Sequence, residues 1–493
     1  MRFLAILLAA CVAAAYGSAI SNQEKKIVCY FGSWAVYRPG RGKFDIKYID
    51  PTLCTHLIYT FTGLNGDTVK VLDAWQDLPD NWGKDGFGRF NALREISPST
   101  KTLIAIGGWN EGSTKYSKMA SDPAARERFA DNVVKFIKKW NFDGFDLDWE
   151  YPNQRGGSPS DIENHVELLK ALRTRFDKEG LILSAAVAAA ESSASKSYKI
   201  SEVSKYLDFI NLMAYDFHGA WESQTGINAP LRVAAADSGD YRGWNVESSV
   251  NYWLKQGAPK EKLILGVPLY GRAFTLSNPK QNKIGAPTRG PGAAGPYTRE
   301  AGMLGYNEIC KMLQKRDWNV IYDEERCAPY AYKDQQWVGF DNIKSIREKA
   351  QLAKKMDLGG AMIWSVETDD FHGDCGEKYP LLKTLNAVLR GGKEVSNTED
   401  IIGLAEGSSN NNDDSTASDS TLVNQSDAPA SPVIQPTPTG KCSGVGNMAI
   451  EGSCDFSMCS SDGQGGFNEH VVQCAEGLCF NPNLGICDWK KSN

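Results

Sequence analysis

The run FDGFDLDWEYP, Phe142 to Pro152, constrains the fold of this chain more than any other segment. Asp146, Asp148 and Glu150 alternate with Phe145, Leu147 and Trp149. Side chains two apart on a β-strand point to the same face, so three carboxyl groups share one side and three bulky apolar groups the other. Crowded like charges resist ionising together, so a fold keeps such a strand only where chemistry uses it. An edge strand with a solvated acidic face would need no function, but the opposite face is too apolar for an exposed ribbon. The strand must therefore be covered by apolar neighbours on one side and border a site on the other. Asp143 lies off the even-numbered face and reads as structural.

Seven further short runs resemble this one in being apolar at nearly every position. They begin at Ile27 (IVCYFGSW), His56 (HLIYTFTGL), Thr102 (TLIAIGGW), Leu181 (LILSAAVA), Phe209 (FINLMAYD), Leu263 (LILGVPLYG) and Gly360 (GAMIWSV). Continuous apolar runs suit parallel strands buried on both faces. Amphipathic stretches at 124–140, 159–176 and 342–356 lie between them. Eight strand–helix units predict an α/β fold, a (β/α)8 barrel, whose catalytic face is built from the loops after the strands. The interval from Leu263 to Gly360 is far longer than the others. Its Gly- and Pro-rich interior predicts a small inserted subdomain at about 273–340, deepening a cleft at that face.

The remaining segments are read from composition. Residues 1–19, with one Arg, a short apolar run and small residues at Gly17 and Ala19, read as a secretory signal peptide, and no later run is long enough to span a bilayer. The catalytic unit is expected at 20–393. Residues 394–440 are rich in Ser, Thr, Asn, Asp and Pro and read as a flexible linker, with an N-glycosylation sequon at Asn424. Of twelve Cys, Cys442, Cys454, Cys459, Cys474, Cys479 and Cys487 crowd into 441–493. A segment so small needs disulfides in place of a core, and six Cys allow fifteen pairings. The net charge of −6 gives no reason to expect nucleic acid. The expected product is a secreted, extracellular monomer with no membrane partner. The five His show no ligand spacing and no phosphate loop follows a strand, so neither metal nor cofactor is implied. Thirteen Trp and 19 Tyr supply flat faces of the kind that line sugar-binding grooves.

FDGFDLDWEYP matches the DxxDxDxE signature of glycoside hydrolase family 18, the chitinases. TLIAIGGWN, NLMAYDFHG, GVPLYGRAF and GGAMIWSVETDDFHG resemble the family's other core segments in the same order, over about 27–390. The resemblance implies a (β/α)8 barrel with an α+β insertion after strand seven. It implies hydrolysis of β-1,4 bonds between N-acetylglucosamine units of chitin, with the substrate's own acetamido group as nucleophile. By that resemblance Glu150 is the proton donor, Asp148 orients the acetamido N–H, Asp146 holds or shares a proton with Asp148, and Tyr215 grips the reacting carbonyl. Trp364 corresponds to the floor beneath the distorted sugar. Tyr30, Trp34, Gly107, Gly108, Trp109, Asn110, Tyr151, Met213, Ala214, Asp216, Trp221 and Arg272 map to cleft positions, and Ala74 and Trp75 extend it. Ala105 stands where the family often has Ser. The family's pairings imply disulfides Cys29–Cys54 and Cys310–Cys375, leaving Cys327 as a buried free thiol.

The ending CAEGLCFNPNLGICDW resembles the peritrophin-A type chitin-binding module, carbohydrate-binding module family 14. Phe456, Phe467, Phe480 and Trp489 are the candidate sugar-stacking aromatics. The resemblance implies pairs Cys442–Cys459 and Cys474–Cys487. No Cys follows CDW, and Cys479, where an apolar residue is usual, stands in as the partner of Cys454. A tethered module would raise the local concentration of the catalytic unit at a solid polymer that cannot diffuse to it.

Overall fold

The computed structural model describes residues 24–393, 395, 446–450, 453–461, 467–472, 478–481 and 486–489. All eight apolar runs form strands: β1 Lys26–Gly32, β2 His56–Asn65, β3 Lys101–Gly107, β4 Gly144–Asp148, β5 Ile182–Ala188, β6 Phe209–Met213, β7 Leu263–Pro268 and β8 Gly360–Trp364. Each pairs in parallel with the next, and β8 pairs with β1 through Lys26↔Gly360 to Cys29↔Ile363, closing the barrel. Closure leaves no free strand edge. β2 alone runs on into an antiparallel hairpin with Thr68–Val71.

Alternation along the strands sorts the side chains into two cores. Val28, Tyr30, Ile58, Leu103, Phe209 and Met362 cluster inside the cylinder. Phe145, Leu147 and Trp149 of the acidic run belong instead to the larger outer cluster, between the strands and the surrounding helices. Helix α1, Pro123–Trp140, begins where Asp122 accepts the Ala124 N–H and Pro123 fixes the first turn, and it ends on Asn141 in the left-handed region. It places Phe129 against Phe145, with ring centroids 6.2 Å apart. Helix α2, Asp161–Glu179, ends on the left-handed Gly180 and places Phe176 against Phe145 as well, at 6.5 Å. Burying each such ring contributes about 1.5–3 kcal/mol, which fixes which face of β4 points inward. β4 ends at Asp148, so Glu150 lies just past the strand and not within it.

Leu269 alone separates β7 from Tyr270–Leu276, the first strand of the insertion, which therefore starts slightly ahead of the expected 273. An antiparallel sheet follows, ordered Thr288–Pro291, Tyr270–Leu276, Gln336–Gly339, Ala328–Lys333, Asn319–Asp323, with Met303–Gly305 added beside Tyr270–Leu276. With helix Tyr306–Leu313 it makes an α+β unit after the seventh strand. Cys29–Cys54 and Cys310–Cys375 are disulfides, and Cys327 is a buried free thiol that burial pushes up to about 12. Among the described residues no helix is long and apolar enough to cross a membrane.

Residues 408–493 form a separate unit. It contains a three-stranded antiparallel sheet, Gly446–Ala449, Phe456–Ser461 and Phe467–Val472, and a hairpin of Leu478–Asn481 with Ile486–Trp489. Cys454 is disulfide-bonded. Residues 1–19, the sequon at Asn424, Cys442 and Cys474 lie outside the described residues, as does the linker apart from Val395. So do the side chains of Phe456, Cys459, Phe467, Cys479, Phe480, Cys487 and Trp489.

Candidate active site

Asp146 sits at the bottom of the site, fully buried in the barrel, and three donors converge on its carboxylate. The Tyr30 hydroxyl donates at 2.7 Å, Ser184 Oγ at 2.6 Å and Asn211 Nδ2 at 3.2 Å. Strand register brings them together: Ser184 on β5 is the direct partner of Asp146 on β4. Burial raises the Asp146 pKa to about 6, and the three hydrogen bonds oppose that rise. Its donors are Tyr30, Ser184 and Asn211, which together hold the carboxyl in one place.

Asp148, two residues on, is 3% exposed, and its Oδ1 is buried without a hydrogen-bond partner. Burial, then the charges of Glu150 and Asp146, hold it well above the usual carboxylate range. Glu150 is also buried, and burial pushes it up to about 7, although the Tyr151 hydroxyl and Arg155 oppose the shift. Two neighbouring carboxyls that both resist charge will keep a proton between them near neutrality. The site thus offers an acid able to donate and, beside it, an acceptor with an unused oxygen.

The walls come from loops after the strands. Tyr215, just past β6, directs its hydroxyl to Met362 Sδ at 3.9 Å. Asp216 takes a left-handed backbone (φ +56) and accepts from the Tyr270 hydroxyl and Arg272 Nε, both at 2.7 Å. Both donors stand on the first strand of the insertion, so that unit braces the cleft. The Arg272 guanidinium also lies 5.2 Å from the Trp221 ring. Trp364, ending β8, is enclosed by Tyr30, Phe61 and Trp34 at centroid distances of 5.5, 5.8 and 6.2 Å. Gly107 and Gly108 have φ of +112 and +84, and a Cβ on Gly107 would sit 2.1 Å from the Asp148 carbonyl oxygen. Only glycine lets β3 pass this close to the acidic strand.

Asp148, Glu150 and the aromatic and loop residues of the walls border one cleft of about 1490 Å³. Of the residues expected there, Tyr30, Trp34, Gly107, Gly108, Trp109, Asn110, Tyr151, Met213, Tyr215, Asp216, Trp221, Arg272 and Trp364 line it with Asp148 and Glu150. Three do not. Ala214 is fully buried in the outer core, because its place after β6 turns its methyl away from the barrel axis. Ala74 is exposed on a short helix, Ala74–Asp77, whose Asp77 lines the cleft in its place. Trp75 stacks on Tyr37 at 6.3 Å, and it is Tyr37 that reaches the cleft. Ser184, Asn211, Phe61 and Tyr270 are functional positions that the sequence reading missed. Ser184 and Asn211 are single polar residues in apolar strands, and that contrast was the available signal. Among the described residues one cluster has metal-ligand spacing, Cys310, Asp370 and Cys375, but its two sulfurs are joined to each other.

Residues 26–369 match the family described as Glycosyl hydrolases family 18. The chain is 41% identical over 420 residues to Probable chitinase 2 of Drosophila melanogaster, covering 78% of this chain and 85% of that one. The structure resembles the Group IV chitinase of Ostrinia furnacalis in complex with allosamidin, with TM-score 0.73 and 48% identity. That match covers 75% of this chain and all of the other. It also resembles human YKL-39, described as a pseudo-chitinase with retained chitooligosaccharide binding, with TM-score 0.69 and 37% identity over 74% of this chain and all of that one.

Proposed function

Because the chain belongs to glycosyl hydrolases family 18, and is therefore a glycoside hydrolase, we propose that it is a secreted endochitinase. It hydrolyses β-1,4 linkages between N-acetylglucosamine units with retention, and its C-terminal unit binds chitin. The observation that carries this reading is Glu150, buried at the open end of the barrel and raised to about 7 beside the unpartnered oxygen of Asp148. An acid catalyst must keep its proton near the working pH, and burial is the physical means.

In the reaction, a sugar sits over Trp364 with its glycosidic oxygen at Glu150. Glu150 gives its proton to that oxygen as the bond to the anomeric carbon breaks. The substrate's acetamido carbonyl oxygen attacks the same carbon from the opposite face and forms an oxazolinium ion. Asp148 Oδ1 accepts the acetamido N–H and offsets the developing positive charge, while the Tyr215 hydroxyl donates to the carbonyl oxygen. Water then attacks the anomeric carbon, its proton passes to the Glu150 carboxylate, and the acetamide is restored with the configuration retained. Asp146, held in place by three donors below Asp148, holds or shares a proton with it.

YKL-39 shows that likeness to this family does not by itself decide turnover. Retention of Glu150, Asp148 and Tyr215 at the floor and wall of the cleft favours an active enzyme. Single-turnover assays of Glu150→Gln on an N-acetylglucosamine oligomer test it. The rate should fall by several orders of magnitude while oligomer affinity stays near wild type. Equal loss of affinity and rate would remove Glu150 from its role as acid.

A further inference from the structure

Two loops at the rim of the cleft are knitted into one unit. Ser113 donates its N–H to the Arg155 carbonyl at 3.3 Å and its hydroxyl to the Tyr151 carbonyl at 2.8 Å. Asp161, opening α2, accepts the N–H groups of Asn153 and Ser158, and the hydroxyl of Ser117. Within this frame Arg155 makes two contacts of different kinds. Its guanidinium lies 3.4 Å from the centroid of Trp109, and its Nη1 donates to the Glu150 backbone carbonyl at 3.0 Å. Trp109 is 59% exposed on the cleft wall, so the cation covers part of the ring while much of it faces solvent.

The backbone at Arg155 adds an independent observation. Its φ is +51, between Asn153 at +63 and Gly156 at +92. A long side chain is strained there and Gly is not. Local backbone preference therefore does not explain Arg at this position, whereas its two contacts do.

We propose that Arg155 is a positioning residue that joins the sugar-stacking face of Trp109 to the main chain of Glu150, so that a sugar seated on the rim and the proton donor keep one fixed spacing. The proposal rests on the reading of Glu150 as the acid. Arg155 also sets the environment of that acid. The groups acting on Glu150 are the Tyr151 hydroxyl and Arg155, which favour its charged form, and Asp216 and Asp148, which oppose it. The hydroxyls of Tyr198 and Tyr215 also feel its charge.

Arg155→Gly and Arg155→Lys test the proposal, with melting temperature, KM and kcat on an N-acetylglucosamine oligomer, and the pH profile of kcat/KM. Arg155→Gly should melt at or above the wild-type temperature. Its KM should rise, its kcat fall roughly tenfold as alignment loosens, and its alkaline limb move to higher pH, because a charge favouring ionised Glu150 is gone. Arg155→Lys should restore the limb but not KM, since an ammonium keeps the charge without the planar stack. Wild-type KM, kcat and limb in Arg155→Gly would overturn the proposal. So would a loss of activity that tracks a fallen melting temperature with the limb unmoved. Wild type and Glu150→Gln run alongside separate the two readings: turnover by the first and not the second upholds the acid, whatever Arg155→Gly does.

Discussion

A carboxyl group gives up a proton near neutrality only if its charge is disfavoured, and at Glu150 burial does this. The sign of the pH dependence follows. Activity needs the protonated form, so kcat/KM should hold below the Glu150 pKa of about 7 and fall as pH rises through it. A rate profile in which the alkaline fall instead begins below pH 5 would contradict that environment. At Asp146 the balance is different, since three donors partly offset burial. Tyr30→Phe removes one of them and also an acceptor for Asn211. It should lower stability by about 1.5–3 kcal/mol, the usual value of a hydrogen bond to a charged group, measured by urea unfolding. The acids were legible in the sequence because a period of two puts them on one face. Ser184 and Asn211 were not, because register between strands decides whether an isolated polar residue meets a carboxylate or a neighbouring strand's methyl group. Ala214 shows the converse: motif position put it in the cleft, but it extends the outward parity of its strand.

The strands were legible as elements because parallel strands buried on both faces leave an unbroken apolar run. Their ends were less so. The run through Glu150 reads as one strand, yet pairing stops at Asp148, since β5 register partners extend only to Ala185 opposite Leu147. The insertion was visible as excess length, but its role in holding Asp216 through Tyr270 and Arg272 needed the fold. Arg272→Ala should therefore raise KM for oligomers more than it lowers stability, because it removes an ion pair on the cleft wall and not in the core. Equal KM values would argue against the brace. Cys29–Cys54 ties β1 to the segment entering β2 across 25 residues. Replacing both by Ser should lower the unfolding free energy by about 2–4 kcal/mol without altering kcat of the folded fraction.

At the scale of the whole chain, a solid polymer reaches the catalytic unit only if the protein stays at its surface. The composition of 394–440 suits a tether, and the C-terminal residues suit a chitin-binding module. Deleting 441–493 should lower activity on insoluble chitin severalfold while leaving short soluble oligomers unaffected. Equal effects on both substrates would refute a targeting role. The barrel could be read from the sequence because eight apolar runs follow one another along it, each with helix-like or loop sequence after it. The small module could not be read in the same detail, since six Cys admit many pairings. The central claim, that Glu150 protonates the leaving oxygen while the substrate's acetamide attacks, is tested most directly by proton NMR of a chitin oligomer in the first minutes of hydrolysis. The account predicts that the new reducing end appears first as the β-anomer; first appearance of the α-anomer would contradict it.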